Sequence, residues 1–320
     1  MKKERPILLV DAMNLFVRHF VANPSMSSKG EPAGGLVGFL RNLQNVVSAT
    51  TPSRVIVIWE GGGSQRKRKI FPDYKSKRRP QKLNRFYDED IPNTVGNRNW
   101  QIETIISTLR HVPVQQIYVD NCEADDVIGY LCKNTFNDVE KVILSSDKDF
   151  YQLIDKKTKI YSPTSKKYIQ TEDVLERFNI HPNNFCTAKA FCGDPSDNVP
   201  GIKSVGFKSL VKRFPQLSNL EDVSVSDIVK EAKEKCTEKS PKILTRIAEG
   251  EEVARRNWKL MYLDIGSLSG RQVKKIEHTC NTFEPKWDKI GLLRKLVKSG
   301  LTTFDGERFF FTFSFVLKSN

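Results

Sequence analysis

Five carboxylates crowd one stretch of this chain: Glu123, Asp125 and Asp126 in E-A-D-D-V-I-G-Y-L-C, then Asp147 and Asp149 in V-I-L-S-S-D-K-D-F. At an effective dielectric of about 20, two like charges roughly 4 Å apart repel by about 4 kcal/mol, so a fold that gathers these side chains needs cations between them. Oxygen-only donors suit a hard divalent ion such as Mg²⁺ or Mn²⁺; zinc would normally bring His or Cys.

The elements that must carry these acids can be read from periodicity. Residues 142–146 are a compact apolar and small run suited to a buried strand, and Asp147 and Asp149, two positions apart at its carboxyl end, would point the same way. Residues 123–132 read as a helix with Val127, Ile128 and Leu131 on one face and the acids in its first turn, where negative charge is favoured. The same pattern recurs: residues 7–10 form a short strand ending at Asp11, and residues 55–59 a second ending at Glu60. Three apolar strands capped by acids at their carboxyl ends put the candidate site where open α/β sheets bind ligands. Helical runs pass through Leu15, Phe16 and His19, through Leu36, Leu40, Leu43, Val46 and Val47, and over 100–109. A further strand is expected at 115–119, a hairpin from 158–162 with 168–170, and more helix from 173 onward. An α/β fold with a boundary near residue 180 is predicted, dividing the chain into 1–180 and 181–320.

With 320 residues the chain can hold one large or two medium domains with an ample core. Its longest apolar runs, 7–10 and 55–59, fall far short of a bilayer span, so no transmembrane segment is predicted. The opening M-K-K-E-R-P-I-L-L-V-D has too few apolar residues for a secretory signal, and a cytoplasmic location is expected. Six cysteines without a C-x-x-C pair and four histidines without zinc spacing read as buried thiols in a reducing compartment. The net charge of +14 points to a polyanionic partner. Lacking an amphipathic or lipidated segment, the chain favours nucleic acid over a membrane.

Two stretches carry the features such a partner would need. After Glu60 come three glycines and then residues 66–85, with ten Lys or Arg against the single acid Asp73. Ile70, Phe71, Tyr74, Leu83 and Phe86 are interleaved, and Asp88, Glu89 and Asp90 close the run. A basic run alone is often only a solvated loop, but aromatics among the cations favour single-stranded nucleic acid, where bases stack and phosphates pair. The second stretch is G-D-P-S-D-N-V-P-G-I-K-S-V-G-F-K: Asp194 and Asp197 flank a Pro-Ser turn, and Gly201 and Gly206 bracket a tight I-K-S-V loop that could offer backbone groups to a phosphate. Beyond residue 217 helices are expected over 228–236, 243–248, 253–261 and 290–297. The final R-F-F-F-T-F-S-F predicts a strand with Phe309, Phe311, Phe313 and Phe315 alternating.

Taken in order, L-L-V-D-A-M-N-L at Asp11, I-W-E-G at Glu60, Y-K-S-K-R at Tyr74, E-A-D-D at Glu123, S-S-D-K-D-F at Asp147 and G-D-P-S-D-N-V-P-G-I at Asp194 resemble the flap endonuclease and 5′-3′ exonuclease family, particularly the bacteriophage replicative 5′ nucleases called phage ribonuclease H. The resemblance covers residues 5–215. It implies a PIN-like fold: a mixed, mostly parallel sheet flanked by helices, a helical arch over the active site, and a helix-three-turn-helix that holds duplex DNA. It implies that Asp11, Glu60, Glu123, Asp125 and Asp126 surround one divalent metal, and that Asp147, Asp149, Asp194 and Asp197 serve a second. Tyr74, Lys75 and Arg78 match the arch positions that engage the scissile phosphate, and Lys189 a basic residue just before the G-D motif. Lys203, Ser204, Val205, Gly206 and Lys208 match the loop that grips duplex phosphates, with a bound potassium ion. Position 60 departs from the family, with Glu where Asp is usual, and no single cation of 66–69 lines up with the family's conserved arginine.

The implied activity is two-metal hydrolysis of phosphodiesters of DNA and RNA primers at 5′ ends during replication, by a monomer acting on DNA and RNA–DNA duplexes with 5′ ends or flaps. A single-strand binding protein, a polymerase or a sliding clamp is an expected partner by the same resemblance. Two rivals are weaker. A DNA-binding protein with a decayed site would be expected to have lost some of the nine acids, and a haloacid-type phosphatase needs Thr or Val where Phe150 follows D-K-D.

Overall fold

The computed structural model describes residues 5–63, 65–78 and 94–317. Its centre is a six-stranded sheet of β1 (Ile7–Asp11), β2 (Arg54–Trp59), β3 (Val114–Tyr118), β4 (Lys141–Leu144), β5 (Thr158–Ser162) and β6 (Lys167–Ile169) in the order β3-β2-β1-β4-β5-β6. All neighbours are parallel except β5 and β6, the expected hairpin. The central strands β1, β2 and β4 are apolar at nearly every position because both faces are covered. Leu9, Ile56, Ile58, Ile117, Ile143 and Ile160 enter one core, and Leu8, Val10, Val55, Val57, Val142 and Leu144 the other.

Around the sheet stand α1 (Ala12–Ala22), α2 (Gly34–Thr50), α3 (Gln65–Ile70), α4 (Thr94–Leu109), α5 (Ala124–Tyr130), α6 (Thr171–Phe178), α7 (Pro182–Cys192), α8 (Phe207–Val211), α9 (Val225–Glu234), α10 (Lys242–Glu249), α11 (Glu251–Met261), α12 (Gly270–Asn281), α13 (Lys289–Lys298) and α14 (Gly306–Thr312). The helix expected over 123–132 ends early, at Tyr130, and passes into a π-helical turn over Leu131–Thr135. The boundary expected near residue 180 falls between α6 and α7, and the apolar core runs on through it: α7, α9 and α11 share a core with one sheet face, and α13 and α14 return to the other.

One expectation is overturned. The terminal strand over 309–315 is helical, with α14 followed by a turn. Phe309 and Phe313, four apart, are both fully buried, whereas Phe311 is 56% exposed, so the run obeys the helical period rather than alternation. Asp305 starts the helix by accepting from the backbone N–H of Arg308. Among the described residues no helix is long and apolar enough to cross a membrane.

Candidate metal centre

β1 lies between β2 and β4, so the acids that follow these three strands emerge side by side at one edge of the sheet. Asp11 caps α1: its Oδ1 accepts from Asn14 N at 3.1 Å and its Oδ2 from Ser145 Oγ at 3.1 Å. Ser145 Oγ also accepts from the backbone N–H of Asp147 at 3.1 Å, which ties the ends of β1 and β4 together. Asp147 in turn accepts from Asp149 N at 2.9 Å, setting the 3₁₀ turn of Lys148–Leu153. Glu60 leads into the glycines, where a side chain at Gly61 would strike the Val119 carbonyl at 1.7 Å. That close approach locks the loop after β2 to the segment before Glu123, through Gly61 N to Cys122 O at 3.0 Å and Asn121 N to Gly61 O at 2.7 Å.

Glu123, Asp125 and Asp126 form one group in the first turn of α5, and Asp149, Asp194 and Asp197 another. Within each group, one oxygen from every residue lies within 4.8 Å of the others. Asp11 stands close enough to feel the charges of Asp147 and Asp125. Asp194 is aimed by Ser196, whose N–H and hydroxyl both donate to its Oδ1, at 2.9 and 2.6 Å. The G-D-P-S-D turn can fold so tightly because Gly193 (φ +77°) and Gly201 pack backbone to backbone, where any side chain would collide.

Among the described residues, four basic side chains reach into this pocket. Lys75 pairs with Glu123 and lies 3.8 Å from Asp197; Arg78 pairs with Asp197 at 2.6 Å; Lys189 pairs with Asp149 and, at 2.7 Å, with Asp194. Tyr74 places its hydroxyl 2.9 Å from Glu123 and 3.2 Å from Asp197. Lys75 holds a left-handed backbone, φ +58°, while its N–H donates to the Asp197 carbonyl at 2.8 Å. Such a conformation costs a non-glycine residue of order 1 kcal/mol or more and is common where a side chain must be aimed. The fourth cation, Lys67, was submerged in the basic run of the sequence. It is 4% exposed while Arg66, Arg68 and Lys69 beside it are exposed, and it meets Glu123 at 2.7 Å, Asp126 at 3.2 Å and Asp125 at 3.6 Å. Only the packing of α3 distinguishes it, and Q-R-K-R-K-I has no periodicity to reveal that. Residues 79–93, which include Lys82, Leu83, Arg85, Phe86 and the acids 88–90, lie outside the described residues.

Burial pushes Asp11, Glu60 and Asp126 up to about 7, with neighbouring carboxylates adding to the effect, and raises Asp125 and Asp147 as well. Burial also presses on Glu123, but Lys67 and Lys75 overcome it and hold that carboxyl down at about 2. Lys189 likewise wins over burial at Asp194, which is lowered. Lys67 is desolvated too, yet the acids around it keep it well above the usual lysine range. The pocket is therefore short of positive charge despite its lysines. Asp126 Oδ1 is buried and already faces one cation, the Lys67 ammonium at 3.2 Å, so positive charge is accommodated at this oxygen. Hard oxygen donors in two adjacent groups suit divalent metal ions.

Farther along, the I-K-S-V loop joins α7 to α8. Lys203, Ser204, Gly206 and Lys208 face solvent, whereas Val205 is buried and anchors the loop with Ile202. The Gly206 N–H is already taken by Ser209 Oγ at 3.0 Å. Val205 and Gly206 thus shape the loop, and the side chains of Lys203, Ser204 and Lys208 stay exposed.

The fold and the sequence both have known counterparts. The T5 5′-exonuclease with bound divalent zinc ions matches 87% of this chain and 99% of its own, at 21% identity and a TM-score of 0.66. The catalytic core of Rad2 in complex with a DNA substrate matches 99% and 93% at 15% identity and 0.52. At these identities the likeness is one of fold. In sequence, the 5′-3′ exonuclease of Buchnera aphidicola subsp. Schizaphis graminum is 29% identical over 224 residues, 68% of this chain and 74% of its own. DNA polymerase I of Caldicellulosiruptor bescii is 30% identical over 227 residues, 68% of this chain but 25% of the polymerase. The family described as 5′-3′ exonuclease, N-terminal resolvase-like domain, matches residues 6–179, more than half of the chain, including β1, β2 and β4, at whose ends stand Asp11, Glu60 and Asp147. The chain is a nuclease and belongs to the 5′-3′ exonuclease family.

Proposed function

We propose that this nuclease hydrolyses phosphodiesters at the 5′ ends of DNA and RNA–DNA duplexes, as an exonuclease and a flap endonuclease that removes primers during replication, and that it uses two Mg²⁺ (or Mn²⁺) ions. The observation that supports this best is the convergence of Asp11, Glu60, Glu123, Asp125, Asp126, Asp147, Asp149, Asp194 and Asp197 from separate segments onto one sheet edge, with Lys75 and Arg78 among them. When bound, the ions would supply Lewis acidity to water and phosphate oxygens. Glu123, Asp125 and Asp126, with Asp11 and Glu60, would hold one ion; Asp147, Asp149, Asp194 and Asp197 would hold the other.

The chain's own cations do the remaining work. Lys75 and Arg78, now spent on Glu123 and Asp197, are placed to turn onto the scissile phosphate and offset the charge that grows there. Tyr74 orients Glu123 and Asp197, and Lys189 aims Asp149 and Asp194 and lowers the pKa of Asp194. Residues beyond 180 hold the duplex, with Lys203, Ser204 and Lys208 on its phosphates and a potassium ion in that loop. The enzyme works as a cytoplasmic monomer beside a single-strand binding protein, polymerase or clamp. A product ladder from a 5′-labelled flap and a nicked duplex tests this: short 5′ products with Mg²⁺ and none with chelator are expected. Binding without any cleavage would refute it in favour of a DNA-binding protein.

A further inference from the structure

A second cavity adjoins the carboxylates and plays no part in the mechanism above. It is a cleft of about 730 Å³ between α4 and the edge strand β3, and Glu60 forms part of its wall. That volume is in the range of pockets that take small ligands. Its floor is largely aliphatic, and toward its edges stand the rings of Tyr118 and Phe283 and the cations Arg98, Arg110 and Lys286, which outnumber the carboxylates Glu60 and Glu284. Tyr118 is 50% exposed, and its ring is steadied by Lys275, whose Nζ lies 5.5 Å from the ring centroid and 2.9 Å from Asp120.

Rings beside cations are what a single strand requires, since bases stack on the one and phosphates pair with the other. We infer that this cleft seats a nucleotide of the unpaired 5′ strand, its base against Tyr118 and Phe283 and its phosphate among Arg98, Arg110 and Lys286. The inference rests on the proposed 5′-nuclease reading. Because Glu60 lines both pockets, a strand with one phosphate among the carboxylates can lay a neighbouring nucleotide directly in the cleft. A duplex end without an extension has nothing to place there. The cleft thereby favours flapped over flapless substrates.

The test is fluorescence anisotropy of the full chain, in chelator to prevent cutting, with a 5′-flapped duplex and with the same nicked duplex lacking a flap. Wild type should bind the flapped DNA more tightly. Tyr118→Ala, and separately Arg110→Glu with Lys286→Glu, should weaken flap binding about tenfold, as the loss of one stacked base does, with less than a twofold change on the nicked duplex. These side chains lie at a rim, and an unaltered melting temperature would show the variants folded; Ile106→Trp, which fills the cleft from α4, should have the same selective effect. Equal losses on both DNAs, or no loss on either, would overturn the inference while leaving the nuclease reading intact. So would an acidic peptide binding the cleft while flap affinity stays the same. Failure of the wild type to cut any 5′ end in Mg²⁺ would sink the nuclease reading itself.

Discussion

Lys67 shows how much a single buried charge can matter at the residue scale. Its ammonium touches three carboxylates that would otherwise repel one another, and Lys67, Glu123 and Asp126 are almost fully buried while Asp125 is partly so. Removing one partner of a buried ion pair typically costs about 3–5 kcal/mol. Lys67→Met should therefore lower the stability of the metal-free protein at pH 8 by an amount of that order, measured by urea unfolding, and Mg²⁺ should recover part of it. Loss below about 1 kcal/mol would mean the acids do not depend on Lys67. Asp147→Asn or Asp149→Asn should abolish cleavage and leave DNA affinity intact or tighter, because less negative charge meets the phosphates; normal turnover by either would contradict their role. The acids were legible in the sequence because an acid ending an apolar strand is a local pattern. Lys67 was not, because its function comes from which turn of α3 faces α5, a tertiary fact with no trace in a run of alternating cations.

At the scale of elements, the sheet could be read because buried parallel strands are continuous apolar runs, and 7–10, 55–59, 115–119 and 142–146 all fell within a residue or two of β1 to β4. The C-terminal phenylalanines misled because R-F-F-F-T-F-S-F satisfies both periods, and only the surface offered by α2 and the sheet selects the helical one. Phe313→Ala should cost about 3–5 kcal/mol, the usual range for emptying a buried aromatic site, while Phe311→Ala, largely exposed, should cost little. Equal effects in denaturant titrations would restore the alternating strand. The π-helical turn after α5 was likewise illegible: it closes where the Phe136 N–H donates to the Leu131 carbonyl at 2.9 Å, and Lys141, buried at the start of β4, donates to the carbonyls of Phe136 and Val139 at 2.7 and 2.8 Å in the loop that follows.

For the whole molecule, the acid pocket and the basic exterior make opposite demands. Asp11, Glu60 and Asp126 titrate near 7 in the folded chain and near 4 when unfolded, so the native state binds more protons between those values. Stability of the metal-free protein should fall as pH rises from about 4 to about 7. Glu123, held low by Lys67 and Lys75, acts oppositely but in a separate window, losing its stabilisation as pH falls from about 4 toward 2. Melting temperatures across this range should decline toward neutral pH without metal and flatten with Mg²⁺; a rise toward neutral pH without metal would mean the acids are not crowded. With a net charge of +14, DNA affinity should drop steeply with salt, and a flat dependence would remove electrostatics from binding. The most direct measurement is anomalous scattering from crystals soaked in Mn²⁺. Two peaks are expected, one among Glu123, Asp125 and Asp126 and one among Asp149, Asp194 and Asp197; crystals of an actively cutting enzyme with no peak at either group would contradict a metal-dependent site there.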